Sequence, residues 1–89
     1  MPTAVQYDPD ELDRGASALA RSREVLAAEA RNLRSALQSM TRFTGRDAEV
    51  FRRDVETLAR AVAQQAEVVG KQSQSLRRLA QDVRALRLR

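Results

Sequence analysis

The sequence predicts an all-α protein, an antiparallel two-helix hairpin that dimerises into a four-helix bundle. Three observations lead there. Apolar residues in both halves recur in alternating steps of three and four, a single short turn signal at Phe43-Thr44-Gly45 divides the chain near its middle, and 89 residues are too few to cover two long amphipathic helices by themselves. The expected organisation is one domain over 1–89, with a first helix at about 9–41, a turn at 42–45 and a second helix at about 46–88.

The first helix has a clear start. In Asp8-Pro9-Asp10-Glu11, Asp8 can accept from an orphan amide, Pro9 suits the first helical position, and Glu11 stands three residues after the cap. Leu12, Ala16, Leu19, Arg23, Leu26, Ala30, Leu33, Leu37 and Met40 then form the seam, broken only by Arg23. At the turn, Thr44 is the expected cap of the second helix and Phe43 the residue that folds back as a hydrophobic staple.

The second seam runs through Ala48, Phe51, Val55, Leu58, Val62, Gln65, Val69, Gln72, Leu76, Leu79, Val83 and Leu86. So short a connection makes the helices antiparallel neighbours. Setting Met40 opposite Ala48 pairs Leu37 with Phe51, Leu33 with Val55, Leu26 with Val62 and Leu12 with Leu76, and it puts Arg23 beside Gln65. A polar layer of that kind fixes register. Gly70 is a candidate for a bend, because glycine weakens a helix interior by about 1 kcal/mol relative to alanine.

At 1.5 Å per residue the second helix is expected to be about 65 Å long against about 46 Å for the first, an overhang of about three turns. Leu79, Val83 and Leu86 then lack a partner on the first helix, so either Val5 and Tyr7 fold across them or another chain does. A second apolar set, Ala18, Val25, Ala36, Val50, Ala61 and Val68, lies outside the seam. It reads either as good helix formers on a solvated surface or as a dimer face, and the small size of the chain favours the dimer.

Composition narrows the chemistry. There is no cysteine and no histidine, so disulfides, thiol nucleophiles, imidazole bases and the usual zinc ligands are excluded. The three glycines form no phosphate loop, and the acids look like surface charge, with Glu56 and Arg60 spaced as an i,i+4 pair. No enzymatic activity and no cofactor are expected. No run is long and apolar enough for a membrane span, and the N-terminus lacks the features of a cleaved signal peptide.

The formal charge of +4 is unevenly spread. Arginines and acids cancel up to Gly45, whereas Lys71, Arg77, Arg78, Arg84, Arg87 and Arg89 face only Asp82. This basic end either complements the helix macrodipole or meets an anionic partner. Nucleic acid is the alternative partner, although the arginines come without interleaved aromatics and no short recognition helix is present.

The turn and its surroundings resemble the WXG or ESAT-like family of small type VII secretion substrates, helical hairpins with Trp-x-Gly in the turn. The resemblance covers nearly the whole chain, with phenylalanine in place of tryptophan at Phe43 and with Gly45, Ala48 and Phe51 at the family's spacing. It implies a recognition protein that pairs with itself or with a related hairpin, or accompanies a larger effector, and that leaves the cytoplasm without a cleaved signal peptide. It also implies roles for Phe43 and Gly45 in the turn and for Phe51 in the end layer beside it; Phe51 and the overhanging Leu79, Val83 and Leu86 are the expected partner interface. Members that carry their own export signal usually have Tyr-x-x-x-Asp/Glu after the second helix. This chain has no tyrosine there, which fits a signal-less partner or a retained member.

Overall fold

The computed structural model describes residues 7–88. Two α-helices, α1 (Pro9–Ser39) and α2 (Arg46–Arg87), pack antiparallel along their length. The Cα trace measures 67 × 24 × 14 Å, a slab one helix thick with two broad faces.

Helix α1 starts as its sequence directs. Asp8 is extended (φ −86°, ψ 111°), its carboxylate accepts from the Asp10 amide at 3.0 Å, and Pro9 follows as the first helical residue. The other end comes slightly earlier than expected. The Met40 amide bonds back to the Leu37 carbonyl at 3.2 Å and the Ser39 hydroxyl donates to the Ala36 carbonyl at 2.8 Å, so local bonds occupy the last carbonyls and end the helix at Ser39. The connection is therefore residues 40–45. Thr44 does not cap α2: Gly45 holds the cap position at φ 105°, ψ −177°, with no side-chain cap bond, and its carbonyl accepts from Glu49 at 3.1 Å. Only glycine adopts that backbone without strain.

The buried residues of both helices are small: Pro9, Ala16 and Ala30 on α1, and on α2 Ala48 followed by Ala59, Ala66, Ser73 and Ala80 in steps of seven. Ala16 and Ala30 on α1 face Ala59, Ala66, Ser73 and Ala80 on α2, and no bulky side chain among the described residues is fully buried. The seam expected for α1 is the one observed. On α2 half of it is displaced by one residue, because the innermost row runs through Arg52, Ala59, Ala66, Ser73 and Ala80, and the bulkier Phe51, Leu58, Gln65, Gln72, Leu79 and Leu86 are turned to one side. Two helices meeting through alanine come closer than leucine permits, and a strict seven-residue repeat keeps that row facing its partner by a left-handed supercoil.

Register follows the same logic. Arg23 does not meet Gln65; its aliphatic stem lies over Gly70, where a Cβ would stand only 2.9 Å from Arg23 Cδ. Helix α2 runs through Gly70 without interruption. A buried bond from the Ser73 hydroxyl to the Ala16 carbonyl, 2.7 Å, ties the helices at mid-length. The expected three-turn overhang is largely absent, because the first residues of α2 lie beside the 40–45 connection. At the other end Arg84 reaches Asp10 and Asp13, and Arg87 reaches the Tyr7 carbonyl. Leu79 and Val83 are accordingly half-buried, while Leu86 remains 65 % exposed. Val5 lies outside the described residues.

If close approach through small residues holds the hairpin, Ala66→Leu should destabilise it by about 1–3 kcal/mol through overpacking, whereas Leu58→Gln should change stability by less than about 0.5 kcal/mol. Thermal melts of the two variants beside the parent check this, and a larger drop for Leu58→Gln would contradict it.

Candidate functional site

Three surfaces carry the side chains that could do work: the turn end, the polar broad face and the apolar broad face. At the turn, Phe43 and Phe51 stack in a tilted pair, with ring centroids 5.7 Å apart and planes at 36°. Arg52, which opens the small-residue row of α2, turns back over the connection. Its Nη2 donates to the carbonyls of Met40 and Phe43, each at 2.6 Å, and its guanidinium carbon stands 5.9 Å from the centre of the Phe43 ring. One side chain thus satisfies two carbonyls of the 40–45 connection and holds the aromatic pair against α2. Arg52 escapes the sequence reading because the expected seam runs through Phe51; a charge in step with Ala59 and Ala66 is the signal that points to it.

The polar face is laced by ion pairs between the helices. Arg34 meets Glu56 at 3.1 Å, so Glu56 pairs across the hairpin and not with Arg60 as its spacing suggests. Arg84 meets Asp13 at 2.7 Å and Asp10 at 2.9 Å, hydrogen bonds that raise its pKa above the ordinary arginine value, Asp13 contributing most. These pairs stand largely in water, where solvent screens most of their attraction. They serve to orient the helices.

The basic end expected over Arg77, Arg78, Arg84, Arg87 and Arg89 is not one open patch. Arg84 is drawn onto α1 and Arg87 onto the Tyr7 carbonyl, leaving Arg77 and Arg78 exposed and without an ion pair among the described residues. Arg89 lies outside the described residues. Among the described residues no group of three or more His, Cys, Asp or Glu could hold a metal, and no helix is long and apolar enough to cross a membrane.

The apolar face follows from the small-residue row. Because the alanines point straight at the opposite helix, the adjacent rows flank that contact half-buried and leave part of their surface on one broad side of the slab. From α1 these include Leu19, Leu26 and Leu33, with Val25 and Ala18 beyond them; from α2 they include Val62 and Val69, with Leu58, Ala61 and Val68 beyond. Val25 is 61 % exposed, Leu58 53 % and Val68 46 %. A shallow depression beside Leu26, lined by Ala18, Arg21, Ser22 and Val25, lies at the edge of this face. Most of the second apolar set noted in the sequence therefore shares one face with Phe51, Leu79 and Leu86. Val50 is the exception, exposed on the back of α2 near the turn.

Comparisons with protein-family profiles, with curated proteins and with solved structures find no match to this chain.

Replacing Arg52 with alanine should lower stability by about 1 kcal/mol, the scale of a half-exposed charged donor's bonds, and should speed amide exchange over 40–45. Phe43→Ala should also lower the melting temperature. Unchanged exchange in the first variant, or an unchanged melting curve in the second, would remove the proposed clasp.

Proposed function

We propose that this chain is a non-enzymatic recognition module that buries its apolar face against a second helical pair to form a four-helix bundle. The observation that carries this reading is a slab one helix thick whose leucine and valine rows cover one broad face, with no other element of the described residues packed on it. A two-helix layer without a fully buried bulky side chain gains little from its own interior, and the stable arrangement for such a face is a second layer. Contiguous exposed apolar surface on this scale marks an interaction site.

Within that role we assign the chain to type VII secretion, as a substrate or as the co-secreted partner or chaperone of a signal-bearing hairpin or larger effector. The resemblance at Phe43-Thr44-Gly45 supports this, and the geometry there is compatible with it: an aromatic closing the end of the hairpin, a glycine in a backbone state reserved for glycine, and Phe51 against the aromatic. On this reading the protein is cytoplasmic before export and leaves without a cleaved signal peptide.

The competing reading, nucleic-acid binding, draws on the exposed Arg77 and Arg78 and on the exclusion of cations from the apolar face. It requires duplex binding that falls steeply with salt; no binding at low salt removes it.

Leu58→Lys together with Val25→Lys should abolish association while leaving far-UV helicity unchanged, read by sedimentation velocity and circular dichroism. A tagged chain should reach the culture medium of a type VII-competent host only when a hairpin carrying Tyr-x-x-x-Asp/Glu is co-expressed. No export in either case would end the secretion assignment, and association unaffected by the two lysines would end the assignment of the face.

A further inference from the structure

The polar face, on the side of the slab away from the apolar rows, has two halves of different charge. In the half away from the turn, Arg84 is held by Asp10 and Asp13, and Arg23 by its neighbour Glu24. In the turn half the balance is lost. Arg34 meets Glu56 across the groove, and helical steps of three and four place Arg31 beside Arg34 and both Arg53 and Arg60 beside Glu56. Arg46 and Glu49 stand seven residues before Arg53 and Glu56, in the same two rows. By the same steps Asp47 and Asp54 lie on the other side of α2, and Arg52 closes the connection. Arg31, Arg46, Arg53 and Arg60 are exposed and take part in no ion pair among the described residues. The hairpin itself does not account for these cations. Arg46 stands in the first turn of α2, at the positive end of the macrodipole. Arg31 lies three residues before Arg34 and Arg60 four after Glu56, so in the antiparallel pair two like charges stand level across the groove to within about 1.5 Å.

We propose that the turn half of the polar face docks an acidic helix of another protein, one that carries a carboxylate at every seventh residue. Arg46, Arg53 and Arg60 are spaced by about 10.5 Å along α2, the rise of seven helical residues. A helix laid along that row therefore meets each guanidinium with one Asp or Glu, the acceptor its planar fork fits. Because the four exposed arginines have no partner in the free chain, no internal ion pair is broken to use them. A phosphate strand is a poorer match: its charges follow one another at about 3.4 Å of rise and fall against Glu49 and Glu56 as well as against the arginines. A second copy laid face to face is also a poorer match, since Asp10, Asp13, Glu24 and Glu56 on that face are already bonded to arginines. This surface lies opposite the apolar one, and its use does not depend on the bundle reading.

The probe is a labelled, alanine-rich helical peptide of about three heptads with glutamate at every seventh position, and the same peptide with glutamine there is its control. At low salt the full chain should bind the glutamate peptide and not the glutamine one, read by fluorescence anisotropy, and the binding should fade as salt rises. R31Q/R53Q/R60Q should weaken it at least about tenfold, the scale of a few exposed charge pairs, while R77Q/R78Q should leave it unchanged. The three replaced side chains are exposed and unpaired, so the variant should keep the parent's melting curve, which separates lost docking from lost folding. Equal binding by the parent and the triple variant, or no binding of the glutamate peptide at low salt, would overturn the proposal. Duplex DNA that binds more tightly than the peptide and is released in the same variant would give the surface to nucleic acid instead. Self-association of the parent that the variant abolishes would give it to a second copy, and either result sinks the acidic helix.

Discussion

Contact through residues with almost no side chain governs the rest of this molecule. Ala16 and Ala30 on one helix and Ala59, Ala66, Ser73 and Ala80 on the other let the backbones come closer than a leucine seam would. Everything bulky is then displaced sideways. On one side the displaced positions carry the charges that bridge Arg34 to Glu56 and Arg84 to Asp13. On the other they carry leucines and valines, which have only half of their surroundings supplied by the hairpin. Close approach and an uncovered apolar face are therefore two consequences of one choice of residue. A wider seam would have placed those leucines between the helices and left less apolar surface exposed.

A row of alanines is a poor ruler. Its members are alike in size, and sliding one helix by a turn replaces alanine with alanine at similar contact energy. Register has to come from groups with direction, and those are spread along the hairpin. Arg52 ties the turn end to the Met40 and Phe43 carbonyls, Ser73 ties mid-length to the Ala16 carbonyl, and Arg84 ties the far end to Asp10 and Asp13. The Arg23 and Gly70 pairing adds a steric key, since an arginine stem in a close-packed row fits only where the facing helix lacks a Cβ. The conformational cost of a glycine inside α2 is offset by the room it leaves for Arg23.

This division of labour explains what could be read in the sequence. The hairpin, the Asp8 start and the seam of α1 were legible, because leucines and alanines alternate there in one unambiguous stripe and capping chemistry is local. The α2 seam was legible only by halves. Val55, Val62, Val69 and Leu76 face inward as expected, but between them the sequence offers two adjacent rows, one bulky and one small. Hydrophobic size selects Phe51 and Leu58, whereas close packing selects Arg52 and Ala59. That one-row displacement also concealed Arg52 and Ser73 and moved the partner of Arg23 from Gln65 to Gly70. The overhang of α2 was overdrawn for a separate reason: helix lengths alone do not show that the connection at 40–45 lies beside the first turns of α2.

The distribution of charge follows from the same geometry. Carboxylates on the polar side are used within the hairpin, where Glu56 and Asp13 meet arginines across the groove and help to set register. On the other side Val25, Leu58 and Val68 stand in water, which covers apolar surface at a cost. Close approach through alanine therefore has two effects of opposite sign: it brings directional groups on one side within bonding distance, and it leaves apolar area on the other side uncovered by the described residues.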